Sequence, residues 1–452
     1  MTNGPVLYDV GVGAIVAEYP GLTDEEANRR AVALGQALFV SSAEGLLDAI
    51  PGARTLLLAF DPLRLSHEEA RRQVLSRSLE PAAAGSGRTV SIAVAYGGEM
   101  GPDLSELASR AGLTPEELSR RHSAADYTVA FLGFAPGFAY LTGLDPALHA
   151  PRLPTPRPRV PAGSVAVGGP YTGIYPSATP GGWRLIGRAA VRLFDEEADP
   201  PTLLSPGDRV RFEPVGAQRL AALERELAAA SARSDTSPGG RPVFRILRPG
   251  LFTSIQGAPR FGRGASGLPP GGAMDEGALA RGNGRLGNAP GAAALEMTLL
   301  GLELDVACDV GVCLSGAVIA AERNGVSVEA SSPIRLAAGD RLRLGPVRDG
   351  VRAYLCVEGG LLAPGRLGLT RPLEWREILM VAGGAGLRRR EETQDTRPAT
   401  AAPERGGGDL VLRVVLDPRR ERFFGERAVE GFLRSAFRVS STSDRRGIRL
   451  EG

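Results

Sequence analysis

The sequence predicts a mainly β protein with an α+β lobe at its N-terminus. Three observations lead there. Segments with helical periodicity are concentrated in the first third, where they alternate with short β-rich runs. From Tyr127 onward the apolar runs shorten and are broken by Gly or Pro every few residues, the punctuation of a compact β-barrel. A second β-rich region then runs to about residue 380, and its AAGDRLRL (337–344) echoes SPGDRVRF (205–212). In each echo a Gly-Asp turn leads into a strand with Arg on one face and Val, Leu or Phe on the other.

Along the chain, Asp24 to Phe39, Ser66 to Leu79 and Asp103 to Arg121 read as helices. Ser66 followed by Glu69, and Ser105 near Glu106, supply helix-start signals. Thr55–Phe60 and Thr89–Ala95 read as strands. These elements place the lobe at 1–95 and a barrel module at 96–215. GAQRLAALERELAAASAR (216–233) is an amphipathic helical run and SDTSPGG a flexible joint, so 216–242 reads as a helical linker. A second module fills 243–452; within it 383–408, polar and low in complexity, is expected to be a disordered loop.

Length and composition bound the chemistry. The 452 residues suggest about three structural units, with 43% hydrophobic and 23% charged residues in the globular range. Gly (60) and Pro (35) are in excess, and all 53 basic residues are arginine. Without lysine the chain holds no P-loop lysine, Schiff base, kinase-type lysine or biotin attachment site. A net charge of +2 gives no steering toward nucleic acid or an anionic membrane, so neither is expected as a partner. No run of 18 apolar residues occurs and the N-terminus lacks a basic signal region, so a cytoplasmic location is expected. Cys308, Cys313 and Cys356 fit no zinc spacing, since no histidine lies beyond His149; no metal site is expected, and the thiols read as buried and inert.

The densest stretch is residues 127–188. PRLPTPRPRVP is a proline-stiffened segment presenting Arg152, Arg157 and Arg159 with little entropy to lose. Arg152 and Arg157 would stand about 16 Å apart on a straight segment, so they share one anion only if the loop folds back. Guanidinium forks suit phosphate or carboxylate; the plain alternative is a rigid surface loop. The glycines of GFAPGF, VGGPYTG and TPGGW either let backbone amides approach a ligand or make tight turns. Phe134, Phe138, Tyr140, Tyr171, Tyr175 and Trp183 either wall a pocket for a small ring or fill the barrel core. His122 heads this stretch at a helix end, whereas His67 and His149 read as incidental.

Residues 96–213 closely resemble the carboxyltransferase C/D-type module of the B-type subunit of bacterial ATP-dependent 5-oxoprolinase. The likeness runs through YGGEMGPDL, HSAADYTVAFLGFAPGFAYL, PRLPTPRPRVPAGSVAVGG, TGIYP and PGGWRLIGR. The module is shared with the first subunit of allophanate hydrolase, the kinase-inhibitor I family and urea carboxylase. PGLFTSIQ, SGLPPGGAMD, GNAPGAAALEMTLLG, AGDRLRL, VRAYLCVEGG and SDRRGIRLEG resemble the A/B-type module of the C-type subunit of 5-oxoprolinase. That module usually reads Gln-Asp-Leu-Gly-Arg where this chain has Gln256-Gly257-Ala258-Pro259-Arg260, and its usual LGS-ST stretch is reduced to Leu367-Gly368-Leu369-Thr370.

The resemblance implies two cyclophilin-like β-barrel modules, the second incomplete at Gly452. It also implies a component of a hydrolase that opens the lactam of 5-oxo-L-proline to L-glutamate with ATP hydrolysis. Mg²⁺ would arrive with the nucleotide, and a separate A-type subunit is the expected partner. On that reading Arg152, Arg157 and His122 are the candidate catalytic residues. The candidates for binding substrate and nucleotide are Arg159, Phe134, Pro136, Gly137, Gly163, Ser164, Gly168, Gly169, Thr172, Tyr175, Gly181, Gly182, Trp183 and Asp275. The alternatives are biotin-dependent carboxyl transfer of the urea or allophanate type, with biotin on another chain; a non-catalytic inhibitor of a sensor histidine kinase; and a decayed product in which only the first module folds. GNGRLG (282–287) satisfies G-x-G-x-x-G, but a helix-like run precedes it, so it is not a dinucleotide site. Glu296 reads either as a site carboxylate or as a paired buried one.

Overall fold

The apolar runs form separate sheet systems in the computed structural model of the chain, which describes residues 4–40, 44–77, 87–233, 240–329, 332–362, 373–382, 425–440 and 449–451. They fall into two units: 1–235 with 261–269 and 414–435, and 236–260 with 270–413 and 436–452. The 383–408 segment lies outside the described residues.

The first unit opens with β1 (Val6–Val10), β2 (Ala14–Glu18), β3 (Leu46–Pro51) and β4 (Thr55–Phe60), an antiparallel sheet of order β1-β2-β4-β3. Leu56, Leu58 and Phe60 are buried at every second position. They pack with Ala27, Ala31, Leu34 and Leu38 of α1 (Asp24–Val40) and with Ala70 and Val74 of α2 (His67–Arg77). Ser66 caps α2 as its sequence suggests, accepting from Glu69 N at 3.2 Å.

β5 (Thr89–Tyr96) belongs to the barrel rather than to the lobe, because it pairs with barrel strands on both sides. Its alternation marks a strand but not which sheet takes it, so the 1–95 boundary falls too late. The single helix expected at 103–121 is two, α3 (Leu104–Arg110) and α4 (Pro115–Ala124). Pro115 lacks an N–H and starts α4, and Thr114 caps it by accepting from Glu117 N. Ser105 is inside α3 rather than at its start.

The barrel strands are β6 (Tyr127–Leu132), β7 (Ala139–Thr142), β9 (Ser164–Gly168), β10 (Tyr171–Ile174), β12 (Arg184–Ala189) and β13 (Arg209–Pro214), with β5. They close in the order β10-β7-β6-β13-β5-β12-β9. A side ribbon joins β8 (Arg157–Val160) to β11 (Thr179–Gly181). The helical run of the linker is α5 (Ala217–Arg233); buried Leu220 and an Arg188–Glu224 ion pair at 2.8 Å dock it on the barrel.

The second unit holds β14 (Gly240–Arg248), β15 (Phe252–Gln256), α6 (Glu276–Arg285), β16 (Ala294–Thr298), β17 (Glu303–Val306), β18 (Val310–Arg323), β19 (Val326–Ser327), β20 (Ile334–Leu336), β21 (Arg341–Val357) and β22 (Ile378–Ala382). These nine strands form one sheet that does not close among the described residues. The echoed Gly-Asp turns have one construction. Asp208 accepts from Ser205 N at 2.9 Å and Asp340 from Ala337 N at 2.7 Å, each carboxylate buried three residues after its donor. GNGRLG overlaps the end of α6 instead of preceding a helix, which removes the dinucleotide reading.

Candidate functional site

The proline segment does fold back. Leu153 N donates to Gly182 O at 2.7 Å, and Arg157 on β8 stands opposite Gly181 on β11. Both Arg152 and Arg157 consequently act on one phenol. Burial raises the Tyr175 hydroxyl above its ordinary value, while the donating Trp183 N–H and the two guanidinium charges oppose that rise. Arg152 also lies near Tyr140 and is exposed, as is Arg159 on β8.

Arg157 is held from behind. Asp103, buried at the head of α3, accepts Arg157 Nη2 on Oδ1 and Leu185 N on Oδ2, each at 2.7 Å. Arg157 Nη1 is shielded from water and has no protein hydrogen-bond partner, and the same is true of Arg184 Nε. On β12, next to Leu185, Arg184 reaches Glu106 at 2.8 Å. Asp103 is a site residue that the sequence patterns alone do not single out; its signal is the GPDL that begins at Gly101, where a Cβ would meet Ile186 O at 2.2 Å.

The aromatic residues form one packed body. Phe138 meets Phe134, Tyr140, Tyr175 and Trp183 edge-on at centroid separations of 5.1–5.3 Å. Phe131, outside the set expected from sequence, stacks on Tyr140 at 4.4 Å. Tyr175 and Trp183 are buried as a floor, Tyr140 and Tyr171 are half-buried, and Phe134 is 60% exposed. Gly168 and Gly181 serve these rings. A Cβ at Gly168 would sit 2.5 Å from the Trp183 indole, and one at Gly181 would sit 2.4 Å from Tyr175 Oη. Gly169 keeps open space beside its Cα, whereas a Cβ at Gly182 would meet Leu153 O, Arg152 and Pro156 at ordinary contact distances of 3.7–3.8 Å. Pro136 and Gly137 close the Phe134 loop, with Gly137 (φ +79°) against Leu193 O. Gly163 N donates to Tyr175 O and Tyr175 N to Ser164 O, so the 163–164 pair shapes the strand end.

His122 and Thr172 are not on this face, which corrects the expectation from sequence. His122 is fully buried inside the barrel, stacked on Phe212 at 4.9 Å. Thr172 Oγ1 donates to Ala166 O and so must accept from His122 Nε2–H at 2.8 Å, which leaves Nδ1 to accept from Tyr96 OH at 2.8 Å. Burial lowers the His122 pKa to about 3, so the ring is a neutral strut with both nitrogens engaged.

Asp275 lies in the other unit, where its carboxylate caps α6 by accepting from Ala278 N at 2.8 Å. Glu296 is a paired buried carboxylate. It accepts from Met274 N at 2.9 Å and Tyr354 OH at 2.8 Å, and Arg352 Nε is 3.8 Å away. Cys313 and Cys356 are buried, and burial pushes the Cys356 thiol up to about 12. Among the described residues no group of three His, Cys, Asp or Glu is gathered as a metal ion would need.

The carboxyltransferase domain family, subdomain C and D, matches residues 5–204, and the carboxyltransferase domain family, subdomain A and B, matches residues 266–452. The B-type subunit of 5-oxoprolinase from Escherichia coli is 42% identical over 212 residues, covering 46% of this chain and 94% of that one. This chain belongs to the 5-oxoprolinase subunit family. Its later half is similar to the C-type subunit of 5-oxoprolinase from Escherichia coli, 30% identical over 215 residues, covering 46% of this chain and 69% of that one. The two family matches, 5–204 and 266–452, lie in order on one polypeptide, as in a B/C fusion. The crystal structure of TTHA0988 aligns with a TM-score of 0.74 at 32% identity, covering 97% of this chain and 86% of that one. The closed barrel is cyclophilin-like, and no helix among the described residues is long and apolar enough to cross a membrane.

Proposed function

We propose that this fused chain supplies the B and C parts of a 5-oxoprolinase-type enzyme, which opens the lactam of 5-oxo-L-proline to L-glutamate with ATP hydrolysis. The observation that carries the reading is the occurrence of both family matches, in order, on one chain whose relatives are 5-oxoprolinase subunits B and C. The geometry of the first unit is compatible with it. A small five-membered lactam ring, with apolar CH₂ groups and a planar amide, suits the exposed edge of the aromatic body at Phe134, Tyr140 and Tyr171, and its carboxylate suits Arg152.

A lactam carbonyl is a poor electrophile, and phosphorylation of its oxygen by ATP, a co-substrate here, would activate it toward water. With no lysine in the chain, any phosphoryl oxygen met here would be steadied by guanidinium, and Arg157 Nη1, one of the shielded donors without a protein partner, would have to be uncovered to reach it. Asp103 keeps that guanidinium in place, and Arg159 stands exposed beside it. Catalysis would require a separate A-type subunit.

The test is ADP and glutamate release by the chain mixed with its A-type companion, with and without 5-oxoproline. Release of both that depends on 5-oxoproline is expected. Its absence, under conditions in which an intact relative complex turns over, would refute the reading. Turnover abolished by avidin would instead favour biotin-dependent carboxyl transfer.

A further inference from the structure

Phe134 is held in an uncommon way. Its φ is +71°, and Ala135 N donates to Gly133 O at 2.8 Å, which closes a three-residue γ-turn of the rarer, strained hand around it. A bulky residue stays there only if its surroundings hold it. Phe138 N to Ala135 O at 2.9 Å and Gly133 N to Phe138 O at 3.1 Å brace one side of the turn. The other side is braced by residues 261–269, which belong to the first unit although they lie far along the chain. Gly267 (φ +73°) lies so close that a Cβ there would be 3.3 Å from both Ala135 O and Gly133 N.

That brace is pinned at its other end by a buried carboxylate. Asp48 on β3 is 3% exposed and accepts from Gly264 N at 3.0 Å, with the Gly262 and Arg263 amides also directed to it. Desolvation pushes its pKa up, and these backbone amides pull the other way. Gly264 is required for the fit, because a Cβ there would sit 2.3 Å from Ile50 and 2.9 Å from Asp48 Oδ2. We infer that Asp48 is a positioning residue for Phe134: by capping the 262–264 backbone it presses the 261–269 segment against the γ-turn and fixes the ring that edges the site. The functional half of this inference rests on the reading that Phe134 faces the substrate; the mechanical half does not.

Hydrogen exchange on the full chain tests the mechanical half. In Asp48→Ala, amides of 261–269 and of 133–138 should both exchange faster, by roughly tenfold for the loss of a cap of this kind, with β9 and β12 unchanged. Asp48→Asn keeps one acceptor and should restore much of the protection. Gly267→Ala should accelerate 133–138 with Asp48 intact. Release of 261–269 with 133–138 unmoved in Asp48→Ala overturns the inference, as does no change in either segment. In the complex with the A-type companion, Asp48→Ala should raise KM for 5-oxoproline several-fold with kcat little changed. If the exchange coupling holds but KM does not move, the brace stands and the assignment of Phe134 to the substrate site fails.

Discussion

His122 makes the stability of the barrel depend on pH with a sign and size set by its surroundings. In the folded chain its pKa is about 3, against 6.5 for an ordinary histidine. Below pH 6.5 the unfolded chain therefore takes up a proton that the folded chain refuses, so stability falls as pH falls, down to about pH 3. Each pH unit in that window costs about 1.4 kcal/mol, so acidification from neutral pH to about pH 5 should cost about 2 kcal/mol through this residue alone. The comparison is between the parent and His122→Gln, which has no titrating ring. Trp183 reports on the barrel once Trp375 is replaced by Phe, and urea melts at pH 7 and about pH 5 give the two free energies. The parent should lose about 2 kcal/mol more than the variant. Carbon chemical shifts of the imidazole should also show the Nε2–H tautomer, without titration down to about pH 4. Equal acid sensitivity of the two proteins, or a ring that titrates near pH 6, would refute the buried, doubly bonded assignment.

Further expectations concern the site and the thiols. Gly181→Ala places a methyl against Tyr175 Oη and should destabilise the barrel by about 1–3 kcal/mol in the same melts; a loss within error would contradict the tight ring packing. Asp103→Ala strips partners from Arg157 Nη2 and Leu185 N and should cost about 2–3 kcal/mol, while Arg152→Ala should leave the melt nearly unchanged and, under the function proposed above, raise KM for 5-oxoproline. Alkylation of the native chain at about pH 8, followed by mass spectrometry, should modify half-buried Cys308 first and spare Cys313 and Cys356 until denaturant is added.

The strands and helices of the lobe, the barrel-like punctuation after Tyr127 and the repeated Gly-Asp turn are legible because periodicity and turn chemistry are local properties of the chain. So is the absence of lysine, which is settled by composition alone. The break at Thr114–Pro115 is within reach of the same logic: a Pro inside a helical pattern, with a Thr before it, starts a second helix.

Other features depend on contacts between residues far apart in sequence. His122 sits in a glycine- and aromatic-rich neighbourhood of the sequence that suggests a site, yet its neighbours in space are Tyr96, Thr172 and Phe212, and their packing makes it a neutral strut. Gly168 and Gly181 look like places for backbone to meet a ligand; the structure uses them to admit the Trp183 and Tyr175 rings. Whether Arg152 and Arg157 could meet one group depends on the fold-back bond from Leu153 to Gly182, and the role of Asp103 depends on a partner 54 residues away. The sequence by itself determined which chemistries the chain can carry, because they follow from its residue types. Tertiary structure decided which of those residues are struts and which face a ligand, because burial and partner geometry arise only when distant segments close on one another.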